Sequence, residues 1–159
     1  MPATSHPVLY QWEDTIEDAC LVLLAGADIS NTYKQRSDDV TSTPRVGVQF
    51  VPGAATGHLF RGQAADTEHW DQFDATLNIE LVTDRQRDAA TPQHTEILGK
   101  IRWAVADCDN WGAALDYHEV LKVMPQGTTQ TVDEEQGQDA STLTYSITFG
   151  IRPDAWPTS

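Results

Sequence analysis

The sequence is poor in basic residues and in cysteine, and it has no long apolar run. Lysine and arginine together number 10 against 24 aspartates and glutamates, which gives a formal net charge of −14 over 159 residues. Binding to a DNA duplex or to an anionic membrane surface needs clustered basic side chains, so this composition argues against both partners. No apolar stretch reaches the roughly 18 residues that a membrane-spanning helix requires. The N-terminal MPATSHP lacks a basic segment followed by an apolar one, so we expect no signal peptide.

The two cysteines, Cys20 and Cys108, are too few for a disulfide framework. Both occur among apolar residues at helical spacing, which predicts buried free thiols and fits a reducing, cytoplasmic compartment. Neither has a neighbouring histidine that would mark an activated nucleophile. A chain of 159 residues is expected to form a single domain, here residues 1–159 with residues 152–159 as a C-terminal extension.

Two stretches alternate strictly between apolar and polar residues, which is the pattern of a β-strand with one buried face. In the first, Trp70–Arg87, every second residue from Phe73 to Leu81 is apolar. In the second, Ser141–Ile151, the same holds from Leu143 onward. Each large apolar side chain that leaves water contributes roughly 1.5–3 kcal/mol. These two rows are therefore predicted to form the centre of a sheet whose opposite face is polar.

Two other segments carry apolar residues at three- and four-residue steps, which is the period of an amphipathic helix. The first is predicted to begin near Ser5 and to end at Gly26, with the acidic run Glu13–Asp18 on a solvated face. The second is predicted to begin at Thr91-Pro92 and to end at Asp107–Asn110.

Shorter alternations and turn residues predict three further strands. Arg45–Val51 is predicted to end at a Pro52-Gly53 turn, and Val120–Met124 is predicted to be closed by Pro125-Gln126-Gly127. A short strand is predicted around Thr32–Gln35.

Two segments are left as connections. Gly53–Glu68 is interpreted as a long loop, part of which could pair as an edge strand, and Gly127–Ala140 as a hairpin connection or solvent-facing arm. The predicted fold class is α+β, a mainly antiparallel β-sheet with two α-helices packed on one face.

No motif for catalysis or for a bound cofactor is present in the sequence. The five histidines show no HxxxH or HExxH spacing, and the GxSxG and phosphate-loop motifs are absent. His94 with Glu96 is interpreted as a surface pair. The densest group of candidate ligands is Asp66–Asp71, with three carboxylates and His69, and a weak divalent-cation site there is the alternative interpretation. We predict no catalytic residue, no metal and no cofactor, and therefore a protein that is not an enzyme.

The C-terminal tail contains a large aromatic residue, Trp156, between Pro153 and Pro157. In a tail stiffened by proline, such a side chain either folds back onto the core or docks on a neighbouring subunit. Tryptophan is enriched among interface anchors, which supports the second interpretation.

Three stretches together resemble the tail-terminator (tail-completion) proteins of long-tailed bacteriophages: WDQFDATLNIELVTDR, the helix with HTEILGKIRWAV, and VDEEQGQDASTLTYSITFGIRPDAW. In that family an aromatic-led alternating strand is followed by a helix, a short hairpin and a final strand of the form S-x-L-x-Y-x-I-x-F. The resemblance covers nearly the whole chain in layout, and the two strands are its most specific part. The long Gly53–Glu68 segment and the RPDAWPTS extension depart from the pattern, which leaves a related neck or head–tail joining role open.

The resemblance implies a non-enzymatic virion protein that assembles as a ring, typically a hexamer, at the head-proximal end of the tail tube. Such a ring ends tube polymerisation and presents a surface to the head connector. The implied partners are therefore further copies of the chain, the tail tube protein and the head–tail connector or neck protein. The implied location is the tail or neck of the virion, after assembly in the host cytoplasm.

Three segments are candidates for the ring contacts: Gly53–Glu68, Gly127–Ala140 and the C-terminal tail. We single out Phe60, Arg61 and Trp156 as interface anchors, with Arg61 able to pair with a neighbour's carboxylate. The alternative for Phe60 and Arg61 is a loop that packs on its own domain.

The acidic charge suits a lumen through which DNA passes, because cationic walls would hold the phosphates. No specific nucleic-acid binding is therefore expected. The main alternative role is that of a neck or head-completion protein on the portal side. A metal-dependent small-molecule enzyme or binding module that uses Asp66–Asp71 is the alternative of another class. A subunit of a bacterial contractile injection system is a third.

Overall fold

The computed structural model describes residues 12–35, 39–61, 68–85, 94–107, 110–111 and 118–151. In chain order the elements are α1 (Trp12–Gly26), β1 (Thr32–Lys34), β2 (Arg45–Arg61), β3 (Glu68–Asp84), α2 (His94–Ala106), β4 (His118–Asp133) and β5 (Gln138–Ile151). Two helices combined with a mainly antiparallel five-stranded sheet confirm the predicted α+β class. No helix in this part of the chain is long and apolar enough to cross a membrane.

The sheet has the strand order β1-β2-β3-β5-β4. β1 runs parallel to β2, and every other neighbouring pair is antiparallel. The two strands with the clearest sequence alternation, β3 and β5, pair with each other from Asp71 opposite Ile151 to Asp84 opposite Gln138. They are therefore central, as the alternation predicts.

One face of the sheet forms the hydrophobic core. Phe149 of β5 lies at its centre, with its ring 5.6 Å from that of Phe73 in a stacked arrangement and 5.8 Å from that of Phe50 in an edge-on one. Both helices cover this face, and their apolar stripes belong to the same buried cluster as the strands. The prediction of two helices on one face is confirmed. The helical residues of the cluster are Ile16, Ala19, Cys20, Leu24, Ile97, Leu98, Ile101, Ala104 and Val105.

The predicted turn at Pro52-Gly53 is wrong, because β2 continues through these residues to Arg61. Register shifts between Pro52 and Ala55 and between Ala55 and Gly57 absorb the irregularity as bulges. The interpretation of Gly53–Glu68 as a loop is correspondingly wrong up to Arg61 and at Glu68, and the expectation that part of this segment pairs as a strand is confirmed. Residues 62–67 lie outside the described part of the chain. Proline is compatible with a strand where a bulge interrupts the hydrogen-bond ladder, and this explains why the turn residues mislead.

The predicted end of the fourth strand at Pro125-Gln126-Gly127 is also wrong. β4 passes through a register shift between Pro125 and Gly127 and continues to Asp133. The remaining connection is the turn at residues 134–137, where Gly137 has a φ of 64° that favours glycine. The prediction of Gly127–Ala140 as a hairpin connection is right in topology and wrong in extent.

The acidic run of α1 departs from the predicted solvated face at one residue. Asp18 is exposed, but Glu17 is fully buried, with 0% of its surface accessible. Lys34 of β1 holds the two aspartates of the run, with Nζ 2.6 Å from Asp18 Oδ1 and 3.5 Å from Asp14 Oδ1. The run is therefore partly a packing surface. The predicted helix starts at Ser5 and Thr91-Pro92 lie outside the described residues.

Candidate functional site

The predicted interface anchors lie at one end of the longest hairpin and in the C-terminal tail. In the backbone of the β2–β3 hairpin, Phe60 pairs with His69, and Arg61 pairs with Glu68. The pairing of β3 with β5 reaches only to Asp71, so these four residues belong to a two-stranded ribbon beyond the rest of the described sheet. The side chains of Phe60 and Arg61, and the whole of Trp156, lie outside the described residues.

The acidic group considered as a metal site is described only in part. Asp66 lies outside the described residues, and only the backbone is described from Glu68 to Asp71. Elsewhere in the described chain, no three His, Cys, Asp or Glu side chains are close enough together to hold a metal ion.

The most specific arrangement of polar side chains joins the start of α2 to the two central strands. His94 Nδ1 lies 2.8 Å from Thr83 Oγ1 of β3, and its Nε2 lies 2.7 Å from Ser141 Oγ of β5. We call these three residues the His94 clamp. The interpretation of His94 as a surface pair with Glu96 is wrong, because the imidazole is half-buried and spans two strands. No local sequence signal reveals this, since its partners are 11 and 47 positions away.

A serine hydrogen-bonded to a histidine is also the arrangement of an activated nucleophile, so the chemistry of the clamp needs examination. Ser141 is only 1% exposed and Thr83 only 4%, so neither hydroxyl faces solvent. The group that orients the imidazole is a hydroxyl, whereas a catalytic triad has a carboxylate there. Burial lowers the pKa of His94, and the charge of Asp139 opposes that shift. The geometry is that of a support which fixes α2 onto the sheet.

Two buried ionisable groups of α1 serve the packing of the helix on β2. Glu17 Oε2 accepts a hydrogen bond of 2.9 Å from the backbone N–H of Phe50. Cys20 is a buried free thiol, and burial, with the charge of Glu17, raises its pKa well above the usual range. A thiol in this state is a poor nucleophile, which agrees with the sequence prediction of a buried cysteine.

The face of the sheet that is turned away from the helices is polar and partly exposed. Cross-strand hydrogen bonds connect its central strands: Thr148 donates to Asp74 at 2.7 Å, and Thr144 donates to Asn78 at 3.0 Å. Neither β3 nor β5 contains a lysine or an arginine. The fixed charge that the central strands bring to this polar face is therefore negative.

Large apolar side chains are exposed at a few places. On the polar face, Val51 of β2 is 44% exposed and Met124 of β4 is 42% exposed. The two lie at opposite ends of one cross-strand row, with Thr76 and Ser146 between them. On the helical side, Trp103 of α2 is 69% exposed. Trp103 lies beside Ala106, Asp107 and Asn110, which together line a shallow surface depression.

An open cavity of about 220 Å³ lies between α2 and the bulge of β4. Arg102 and Tyr145 supply polar groups to its wall, and Pro125 and Leu143 supply apolar ones. Burial raises the pKa of Tyr145, and the charge of Arg102 opposes the shift. This volume is below the roughly 300–1,000 Å³ that is typical of small-molecule sites.

Comparison with known proteins finds similarity among solved structures. No family model matches the sequence, and no curated protein matches it. Among solved structures, the chain is similar to a protein chain in the virion of a native gene transfer agent particle. The match covers 85% of this chain and 94% of that one, at 11% sequence identity and a TM-score of 0.40.

Proposed function

We propose that this chain is a structural protein of a phage-like virion, which forms a ring at the head-proximal end of the tail tube. In that position the ring ends tube polymerisation and joins the tail to the head connector. The chain then acts by binding copies of itself, the tube protein and the connector, and it carries out no catalysis.

The observation that carries this proposal is the arrangement of the stretches that resemble tail-terminator proteins. The two resembling strands are β3 and β5, which are adjacent at the centre of the sheet and paired from Asp71 to Asp84. The resembling helix is α2, which packs on the same sheet. The sequence pattern thus corresponds to one contiguous structural unit. In such a unit, the β2–β3 and β4–β5 hairpins are available for contacts between subunits.

The ionisable groups of the described core support a structural role as well. His94 is bonded to two strands, Glu17 to the backbone of β2, and Cys20 is a buried thiol. Each contributes to the packing of a helix on the sheet. Histidine, glutamate and cysteine side chains can be catalytic in enzymes, but these three stabilise the packing of the helices on the sheet.

The direct test is to mix the purified protein with subunits of the tail tube from the same particle. We expect native mass spectrometry to detect a closed homo-oligomer, and negative-stain electron microscopy to show it at one end of the tubes. Tubes should also become shorter as the protein is added during their polymerisation. A protein that binds the connector and leaves tube ends bare would instead be a neck or head-completion protein.

Passage of DNA through the ring gives a second expectation. We place the polar face of β3 and β5 towards the lumen, where its carboxylates Asp74 and Glu80 would repel phosphates. A gel-shift experiment at low salt should therefore show no retention of duplex DNA. Tight, salt-sensitive retention would contradict the proposal. For the metal-dependent alternative, bound metal in elemental analysis and a thermal shift with divalent cations would be the positive result.

A further inference from the structure

The sheet has two outer edges whose backbone groups are not paired along their whole length within the described chain. β4 forms one edge and pairs there only with β5. At the other edge, β1 covers β2 only at Val46–Val48, and the Glu17 carboxyl group covers Phe50. From Ala55 to Arg61, the described structure has no strand on the outer side of β2. We call β4 the β4 edge, and β1 with the outer part of β2 the β1–β2 edge.

Long stretches of β2 and β4 lack the charges with which proteins usually protect exposed strands. β2 contains no Asp, Glu, Lys or Arg between Arg45 and Arg61. β4 contains none between Lys122 and Asp133, and its residues from Met124 to Asp133 are exposed. In a protein with a net charge of −14, uncharged edges are where a second copy can approach without like-charge repulsion.

The ends of the two edges carry opposite charges. β2 begins and ends with an arginine, Arg45 and Arg61. β4 has Glu119 near its start and ends at Asp133, and Glu134 and Glu135 follow. Three successive antiparallel pairings lead from β2 to β3, from β3 to β5 and from β5 to β4. β2 and β4 therefore run in opposite directions. When one copy follows another around a ring axis, the basic ends of β2 therefore approach the acidic ends of β4.

We propose that the β4 edge of one copy pairs antiparallel with the β1–β2 edge of the next copy, with Arg61 beside Glu119 of its neighbour. This inference rests on the proposed ring. The contact is heterologous, so it closes by rotation and joins the five-stranded sheets into one continuous sheet. It also names the carboxylate that Arg61 meets across the interface.

The dimensions of the edges support pairing between copies. β2 has 17 residues and β4 has 16, and because β1 and Glu17 cover the outer side of β2 from Val46 to Phe50, direct pairing with β4 of a neighbour involves the outer part of β2, Ala55–Arg61. In the cross-strand rows, Arg45 is level with Thr131, two positions from Asp133. At the other end, Glu119 is level with Gly57, and Arg61 lies four positions further along β2. A stagger of two positions brings Arg45 level with Asp133, and a stagger of four in the same direction brings Arg61 level with Glu119. Closed sheets are staggered in this way.

A charge-swap experiment tests the contact. We expect Arg61→Glu and Glu119→Arg each to raise the dissociation constant of the ring roughly tenfold or more, because each places like charges together. The double variant Arg61→Glu/Glu119→Arg should restore assembly, since every interface then has an opposite pair again. Lys100→Glu, a charge reversal on α2 and not on either edge strand, is the matched control and should assemble like the unmodified protein. Circular dichroism and thermal unfolding establish that each variant is folded.

The outcomes separate this inference from the proposed function. If the unmodified protein closes into a ring and Arg61→Glu, Glu119→Arg and the double variant all assemble equally well, the edge pairing is wrong, whereas the proposed ring is still supported. A two-fold dimer through β4 alone, or a contact made only with the tube protein, would also overturn it. If no ring forms with or without tube subunits, the proposed function itself fails.

Hydrogen–deuterium exchange on the unmodified protein provides a measurement that needs no variant. Peptides that cover Glu119–Pro125 and Ala55–Arg61 should exchange at least about tenfold more slowly in the ring than in the diluted monomer, because strand pairing protects backbone amides. Peptides from α1 should exchange equally in both states. Equal and fast exchange of both edges in the ring would overturn the proposal, as would an already protected β4 edge in the monomer.

Discussion

Glu17 on α1 and Phe50 on β2 are joined by a hydrogen bond of 2.9 Å from the Phe50 backbone N–H to Glu17 Oε2, and both residues are buried. β1 pairs with β2 only as far as Val48, and Gln35 donates the last backbone hydrogen bond, to the Val48 carbonyl. The next outward N–H of β2 is that of Phe50. A side chain from the helix therefore continues the edge pairing where the short strand ends.

We expect Glu17→Leu to lower the free energy of unfolding by about 1–3 kcal/mol, because it leaves a buried N–H without this acceptor. Glu17→Gln keeps a side-chain oxygen and should cost less. Urea denaturation of the three proteins measures both values. Equal stability of the leucine variant and the unmodified protein would contradict the role given to this hydrogen bond.

Glu17 also illustrates what sequence periodicity can and cannot predict. The apolar stripe from Ile16 to Leu24 correctly predicts which side of α1 faces the sheet. The burial of Glu17 beside that stripe depends on an N–H that becomes available only because β1 is short. That is a property of the tertiary structure, so no pattern within the helix could reveal it.

The His94 clamp predicts a pH-dependent contribution to stability. Burial lowers the pKa of His94 in the folded protein below its ordinary value of 6.5, so folding disfavours the protonated form. The contribution is complete above that ordinary value and is lost as the pH falls from it towards the folded-state pKa. The difference in unfolding free energy between the unmodified protein and His94→Gln should therefore rise from about pH 5 and level off near pH 7.

The comparison with His94→Gln is needed because the many carboxylates of the chain also titrate at acid pH. Both proteins share those groups, so the difference isolates the contribution of the imidazole. A difference that stays constant between about pH 5 and about pH 8 would show that His94 has the same affinity for protons in both states. Chemical denaturation at each pH provides the measurement.

Phe149 anchors the core through its contacts with Phe50 and Phe73. We expect Phe149→Ala to destabilise the fold by about 3–5 kcal/mol, since it removes a fully buried ring and leaves a cavity. Trp103→Ala is the control, because Trp103 is also aromatic but 69% exposed, and its effect should be within about 0.5 kcal/mol. Thermal or urea unfolding compares the two, and a similar loss in both would contradict the assignment of the core.

The position of a strand can be predicted from sequence when one of its faces is exposed to solvent and the other is buried. β3 and β5 alternate because they are central and covered on one side, and their positions follow from sequence. β4 beyond Pro125 is exposed on both faces, so its residues from Thr128 to Val132 show no alternation. The candidate interface could also be predicted only in part. Arg61 can be selected from sequence, whereas the choice of Glu119 as its counterpart depends on strand order and direction.

Gly53 tests the corrected course of β2. A Cβ atom at Gly53 would collide with the backbone carbonyl of Asp74 on β3, so only glycine fits where the bulge brings the two strands together. We expect Gly53→Ala to lower the free energy of unfolding by about 1–3 kcal/mol, because the backbone must shift to relieve the overlap. The matched control is Gly99→Ala in α2, where a Cβ meets nothing within 4 Å. That change should instead stabilise the protein by about 0.5–1 kcal/mol, since alanine loses less backbone entropy in a helix. Opposite signs in urea denaturation are the expected result, whereas a neutral Gly53→Ala would mean that β2 does not approach Asp74 so closely.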